Sequence, residues 1–160
     1  MAYNTVCLEG FEYAKSEEAA AGESGIYPGT FLKYSSALEF ELQDESEVPG
    51  LLLIADLDPM RPASAGGNTT MALTDAYTDG DRVKAKWVPL GAKFYALLAP
   101  LHSVTAGGFL SFAGYESPGA LGAAEKSSAN LGVGAMFVAL ETVDNSASSS
   151  TTRIVVQRVR

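Results

Sequence analysis

Short runs of alternating apolar and polar residues, each bounded by turn-forming residues, constrain this sequence most strongly. Residues 38–42 alternate leucine or phenylalanine with glutamate, and residues 83–88 alternate apolar side chains with lysine. A period of two is typical of strands that bury one face. Leu38, Phe40 and Leu42 are therefore predicted to face a core. Because helical periodicity is nearly absent, the sequence predicts an all-β protein.

Other runs are more continuously apolar, as expected for strands that are covered on both faces. They occupy residues 51–55, 94–99, 109–112 and 135–143, and a last alternating strand is predicted at residues 154–159. The hydrophobic content of 47% supplies enough apolar side chains to form one compact core.

Turn-forming residues separate these runs at short intervals. Proline or glycine occurs in each of five predicted turns, at residues 27–29, 48–50, 79–81, 89–91 and 106–108. Proline presets φ at the first corner of a turn, and glycine accepts the positive φ that a second corner often needs. Frequent tight turns between short strands predict a small β-barrel or β-sandwich, as a single domain.

Three stretches depart from this pattern. Residues 16–21 are predicted to form one or two helical turns, with Ser16 as N-cap and Gly22 closing the helix. Residues 58–70 and 117–130 are rich in glycine, proline and small side chains, and they are predicted to be long loops. In a binding protein such loops are candidate contact surfaces.

The charge balance restricts the partners. Eleven basic residues stand against 19 acidic ones, which gives a net charge of −8 and an isoelectric point near 4.6. Nucleic acid and anionic membrane surfaces are not expected as partners, because binding phosphates requires clustered Lys and Arg. The N-terminus has no secretory signal and no apolar run reaches about 18 residues. The protein is therefore expected to remain, or to be assembled, where it is made.

Side chains that commonly carry catalysis are scarce. The single histidine, His102, is interpreted as a strand-end residue, and the single cysteine, Cys7, as a small buried hydrophobe. Aspartates two apart in residues 56–58 and 79–81 are interpreted as turn residues rather than Ca²⁺ ligands, because the further ligands of an EF-hand are missing. No zinc spacing or nucleotide motif occurs. The sequence predicts a protein that is not an enzyme, with no catalytic residue, cofactor or bound metal.

The order of motifs after Ile26 resembles that of the tailed-bacteriophage head decoration, or capsid cement, family. Most of the resemblance lies in residues 138–146, Val-Ala-Leu-Glu-Thr-Val-Asp-Asn-Ser, and in the following Arg-Ile-Val-Val of residues 153–156. Upstream, residues 77–83 resemble the family's Gly-Asp-x-Val strand, and residues 93–99 resemble the strand after it. Residues 104–110 resemble a turn of the same family. None of these motifs is a chemical signature, so the resemblance depends on their order.

This resemblance implies a β-barrel-like decoration domain of the β-tulip type over residues 26–160, preceded by an N-terminal arm or segment at residues 1–25. It implies a structural virion protein that binds the major capsid protein on the outer surface of the mature capsid. Family members usually assemble as homotrimers at or near local three-fold axes and stabilise the shell. Assembly is expected in the host cytoplasm.

Four residues are candidate capsid or inter-subunit contacts, because interfaces favour aromatic and large aliphatic side chains at their centres. They are Leu8, Phe11, Tyr13 and Tyr27. The segment at residues 8–13 is either an arm on the capsid or an ordinary edge strand of the barrel, and the sequence does not distinguish these.

Two other classes of function compete with the cement hypothesis. A small β-barrel can hold a small molecule or carbohydrate, and such a module is expected to be monomeric and stabilised by its ligand. A hydrolase is the third class, and it would use Asp56, Asp58 or His102.

Overall fold

The computed structural model describes residues 5–43, 52–58, 73–112 and 136–160, and the backbone of residues 124–126. Within these ranges every regular element is a β-strand, which confirms the all-β prediction. The strands are β1 (Cys7–Glu9), β2 (Ser16–Ala20), β3 (Phe31–Tyr34), β4 (Phe40–Leu42), β5 (Leu53–Ala55), β6 (Arg82–Trp87), β7 (Lys93–Leu98), β8 (Ser103–Val104), β9 (Phe109–Phe112), β10 (Ala124–Lys126), β11 (Phe137–Ala139), β12 (Val143–Asp144) and β13 (Thr152–Arg158).

Six strands form one sheet, and five of them, β7, β10, β9, β11 and β13, close into a barrel. Strand β7 pairs antiparallel with β13 along its whole length. It also pairs with β1 near Phe94 and, in parallel, with β10 at Leu98. The ladders β10–β9, β9–β11 and β11–β13 complete the ring. This closure agrees with the barrel prediction.

A second, five-stranded antiparallel sheet has the order β2-β6-β5-β3-β4. A single parallel bridge between Ala21 and Phe40 brings its two outer strands together. Strands β8 and β12 form a separate two-stranded ladder.

Two apolar clusters form the core, and strands β3 and β5 contribute to both. Phe31 and Ile54 point into the barrel cluster, whereas Leu32 and Leu53 point into the second cluster. Successive side chains of a strand face opposite sides, so each of these strands separates two cores. In the barrel cluster, Phe31 stacks on Phe137 with ring centroids 4.7 Å apart.

The predicted turns within the described ranges are present. Gly29, Gly80, Gly91 and Gly107 all have positive φ. The turn at residues 48–50 lies outside the described residues. Most of the two predicted long loops also lies outside them, but strand β10 falls within the second, residues 117–130.

The predicted helical turns at residues 16–21 are wrong. Residues Ser16–Ala20 form strand β2 and pair with all but the last residue of β6. Glu18 lies opposite Lys84, and its carboxylate is 3.4 Å from the Arg82 guanidinium. Pairing with the basic edge of β6 therefore replaces a helix that was too short to be stable by itself.

The core position predicted for Leu38 is also wrong. Its side chain is 75% exposed and its φ is +62°. It lies in the turn between β3 and β4, where its N–H donates to the Ser35 carbonyl over 3.1 Å. Similarly, residues 135–143 do not form one run, because a turn at the exposed Leu140 separates β11 from β12.

Residues before Ile26 contribute one strand to each large sheet. Strand β1 joins the barrel and strand β2 joins the second sheet. The division of the chain into segments 1–25 and 26–160 stays a prediction.

Candidate interaction surface

The segment at residues 8–13 begins as a strand and ends in a turn. Strand β1 is held on β7 by its ladder and by an ion pair between Glu9 and Lys93, with Oε2 and Nζ 2.6 Å apart. A turn then follows, in which the Ala14 N–H donates to the Phe11 carbonyl over 3.0 Å. The segment therefore combines a short strand paired with β7 and a turn, and its role as an arm on the capsid stays a prediction.

The four candidate contact residues do not lie on one surface. Phe11 turns inward and meets the edge of the Phe94 ring at 6.1 Å, so it serves the core. Tyr13 is fully exposed, whereas Leu8 and Tyr27 are partly exposed. Tyr13 and Tyr27 line different clefts.

Tyr13 lies beside the turn between β6 and β7. The backbones of the two turns approach closely, since a Cβ placed on Gly10 would be 3.0 Å from the Ala92 Cα. Between them is a cleft of about 280 Å³, and Leu90 projects from the second turn with 70% of its surface exposed. We define the Tyr13 surface as the exposed part of this region, formed by Tyr13, Lys15, Trp87, Pro89, Leu90 and Arg158.

The last strand fixes the turn that carries Leu90. Backbone hydrogen bonds join Gly91 N to Arg158 O at 2.9 Å and Arg158 N to Ala92 O at 3.0 Å. The Arg158 guanidinium donates to the carbonyls of Val88 and Arg160. Burial lowers the pKa of Arg158, but an arginine still carries its charge at neutral pH. The turn is thus anchored beside a permanent cation.

Lys15 and Trp87 form the other wall of the cleft. The Lys15 ammonium lies 5.0 Å from the centroid of the Trp87 ring, within range of a cation–π contact. It also pairs with Glu17 at 2.6 Å, and this hydrogen bond raises the pKa of Lys15. Because Glu17 pairs with Lys15, the charge of Arg158 and the aromatic wall remain to suit a partner that combines apolar and acidic groups.

Leu90, Trp87 and Arg158 were not predicted from the sequence to belong to an interaction surface. The signal for Leu90 was present, because a leucine between proline and glycine in a tight turn has no strand face to bury it. No local pattern connects Trp87 with Arg158, which are 71 positions apart (158 − 87).

A second cleft, of about 480 Å³, contains Tyr27. It lies beside strands β7 and β13 and is lined by Tyr27, Leu73, Thr74, Leu97, Thr151, Thr152 and Arg153. We call it the Tyr27 cleft. Tyr27 lies in the turn that precedes β3, where the Thr30 N–H donates to its carbonyl over 3.0 Å.

Three of the four aspartates considered as metal ligands have basic or local partners. Asp56 lies 3.3 Å from Lys86 and Asp58 lies 3.4 Å from Arg82, measured between charged atoms. Asp81 accepts from the Thr78 N–H at 2.6 Å, as an aspartate in a turn does. Over the described ranges, no three His, Cys, Asp or Glu side chains are grouped so that they could hold a metal ion.

Cys7 and His102 do not line either of the two clefts. Burial, reinforced by the charge of Asp56 and opposed by that of Lys86, raises the pKa of Cys7 to about 12. His102 is half-buried before β8, where its carbonyl accepts from Asn145 N at 3.1 Å.

Among the described residues there is no helix of the length and hydrophobicity needed to cross a membrane.

Comparisons with known proteins give similarity to solved structures only at the level of the fold. No family model matches the chain, and no curated protein matches it. The fold is similar to the solved N base of head fiber gp8.5 of bacteriophage phi29, with 13% sequence identity and a TM-score of 0.46, over 92% of this chain and 98% of that chain. A similarity of this size does not establish a shared function. Membership of the head decoration family stays a prediction.

Proposed function

We propose that this chain is a structural virion protein that binds the outer surface of the mature capsid of a tailed bacteriophage and stabilises the shell. It acts as a homotrimer at local three-fold positions, with the major capsid protein as its partner. The observation that carries the proposal is the Tyr13 surface, where an aromatic and a large aliphatic side chain are exposed on two adjoining, anchored turns. The order of sequence motifs in residues 26–160 supports the same function.

The Tyr13 surface has the composition of an interface centre. Tyrosine, tryptophan and arginine are the residues most often found at binding hot spots. Tyr13 and Leu90 are held on turns with defined backbone hydrogen bonds, so little backbone entropy is lost when they are covered. Exposed side chains of this kind on a fixed scaffold favour binding.

The charges around this surface indicate the chemistry of the partner. Arg158 lies at the cleft beside the ion-paired Lys15, although the whole chain carries a net charge of −8. An apolar seat with acidic residues at its rim complements this arrangement. We therefore expect the contacted region of the capsid protein to carry Asp or Glu near exposed apolar side chains.

Stabilisation of the shell follows from mass action. A protein that binds the mature shell and not the precursor shifts the equilibrium toward the mature form by an amount set by its concentration and affinity. Because a capsid presents many equivalent sites, weak binding at each site adds up over the shell. The protein needs no chemistry of its own for this role.

The test is to mix the purified protein with mature, undecorated heads and with unexpanded precursor shells. Sedimentation is expected to show saturable binding to mature heads only, and electron microscopy is expected to place density at three-fold positions. Light scattering of the free protein is expected to give the mass of a trimer. Absence of binding to either shell, with a monomer in solution, would overturn the proposal.

Paired variants test the Tyr13 surface. Tyr13→Ala combined with Leu90→Ala is expected to weaken binding to mature heads at least about tenfold, because hot-spot residues contribute more than about 1 kcal/mol each. Leu38→Ala is the matched control, since it also removes an exposed leucine, in the turn between β3 and β4. Equal binding by all three proteins would exclude the Tyr13 surface as the capsid contact.

A further inference from the structure

The Tyr27 cleft holds a half-buried cation. Arg153 donates from Nη1 to the Pro28 carbonyl over 3.0 Å and from Nη2 to the Leu73 carbonyl. Its guanidinium is fitted closely, because a Cβ on Gly29 would lie 3.0 Å from Nη1. The two carbonyl bonds fix the position of the charge at the cleft.

No carboxylate neutralises this charge within the described part of the chain. The ion pairs there join other residues, and both hydrogen bonds of the Arg153 guanidinium go to neutral carbonyls. This is unusual in a chain with 19 acidic residues and 11 basic ones. Burial lowers the pKa of Arg153, which reflects the cost of holding the cation away from water. A bound anion would offset that cost.

The other groups at the cleft suit a ligand with hydroxyl groups. The side-chain hydroxyl of Thr151, two positions before Arg153 and on the same side of the strand, makes no hydrogen bond to any described residue, and it can both donate and accept. Tyr27 is 40% exposed and presents an aromatic ring at the cleft. Leu97, opposite Arg153 in the β7–β13 ladder, supplies an apolar wall.

We propose that the Tyr27 cleft binds a carboxylate-bearing ligand of monosaccharide size, of the hexuronate class. Arg153 pairs with the carboxylate, Thr151 bonds to a ring hydroxyl, and the Tyr27 ring contacts the C–H face of the sugar. The volume of about 480 Å³ exceeds what a bare inorganic anion fills, and it lies in the range of small-molecule sites. The proposal does not depend on capsid binding.

This site differs from a ligand held inside the barrel. The barrel interior contains the packed rings of Phe31, Phe94, Phe112 and Phe137. The Tyr27 cleft instead opens on the outside of the β7–β13 ladder, where a ligand can enter without unpacking the core.

The test uses the full chain and three probes, followed by ¹H–¹⁵N NMR and calorimetry. Glucuronate is expected to bind, with shifts at Tyr27, Leu97 and Thr152. Glucose, which lacks the carboxylate, and acetate, which lacks the ring, are expected to bind at least about tenfold more weakly. Absence of glucuronate binding, or equal affinity for glucuronate and either control probe, would overturn the proposal.

Two variants distinguish a loss of glucuronate recognition from a general loss of folding. Thr151→Val removes one hydroxyl with little change of shape and is expected to weaken glucuronate binding about threefold or more, because a hydrogen bond is lost. Tyr34→Leu, which alters a tyrosine of similar exposure on β3, is expected to leave the affinity unchanged. An unchanged affinity in Thr151→Val would contradict the proposed role of Thr151. Both variants are expected to bind mature heads as the native protein does, so failure of this proposal is distinguishable from failure of the capsid proposal.

Discussion

Gly29 lies where the turn before β3 passes over strand β7. Its φ is +94°, and a Cβ at this position would be 2.9 Å from the Tyr95 carbonyl oxygen. A side chain is thus opposed by both the backbone conformation and the available space. This approach lets the turn reach Arg153, so one glycine determines the packing at the Tyr27 cleft.

Gly29→Ala is expected to lower the free energy of unfolding by about 3 kcal/mol, the upper end of the cost of a strained backbone residue. Gly80→Ala is the control, since Gly80 has φ +80° but no atom within 4 Å of an added Cβ. It is expected to cost about 1 kcal/mol. Urea denaturation of the three proteins gives these values. Equal losses in the two variants would contradict the close approach at Gly29.

Cys7 is expected to be a poorly reactive thiol. Burial raises its pKa from 9.0 to about 12, so the folded thiol keeps its proton at a pH where the unfolded thiol has lost it. The stability that this protonated thiol contributes is complete below pH 9 and declines between pH 9 and about 12.

Alkylation with iodoacetamide at pH 9 tests this prediction. Because the thiolate is the reacting species, modification of the folded protein is expected to be at least about a hundredfold slower than modification of the urea-unfolded chain. Similar rates for the two forms would show that the thiol ionises normally in the folded state.

At the scale of elements, strand β4 is shorter than the alternating sequence pattern that predicted it. The alternation of residues 38–42 is continuous in sequence, but the strand begins only at Phe40. Leu38 takes a positive φ so that the chain can turn after β3. The Ser35 hydroxyl accepts from the Ala37 and Glu39 N–H groups at 3.2 Å and supports this turn.

Two alanine variants test this assignment of β4. Phe40→Ala is expected to cost about 3–5 kcal/mol, since Phe40 is fully buried in the second cluster. Leu38→Ala is expected to change the free energy of unfolding by less than about 0.5 kcal/mol, as is usual for exposed positions. A large loss in Leu38→Ala would place that residue in the core, as the alternation predicted.

At the scale of the whole molecule, the two apolar clusters share strands β3 and β5. Phe31 and Leu32 are neighbours in the chain but belong to different clusters. One cluster cannot lose its packing without moving strands that also form the other. The barrel and the second sheet are therefore expected to unfold together.

Trp87 provides a probe for this cooperativity. It is the single tryptophan and packs against the second cluster. Phe94→Ala, in the barrel cluster, is expected to lower the urea midpoint seen by Trp87 fluorescence and by far-UV circular dichroism equally. A shift in circular dichroism without a shift in fluorescence would show that the clusters unfold independently.

The sequence by itself determined the fold class, most strand positions and the described turns. Residues 109–112 form β9 with the predicted bounds, and the predicted turns at residues 27–29 and 89–91 are present. These features are local, because side-chain alternation and the conformations of proline and glycine act within a few residues.

Only the tertiary structure decided which strands pair and which side chains meet. Residues 16–20 became a strand because β6 offered them an edge, and Phe11 turned inward because Phe94 lay beside it. The Tyr27 cleft depends on a hydrogen bond between Arg153 and Pro28, which are 125 positions apart. Such contacts leave no periodic signal, because they form between segments that only the closed barrel brings together.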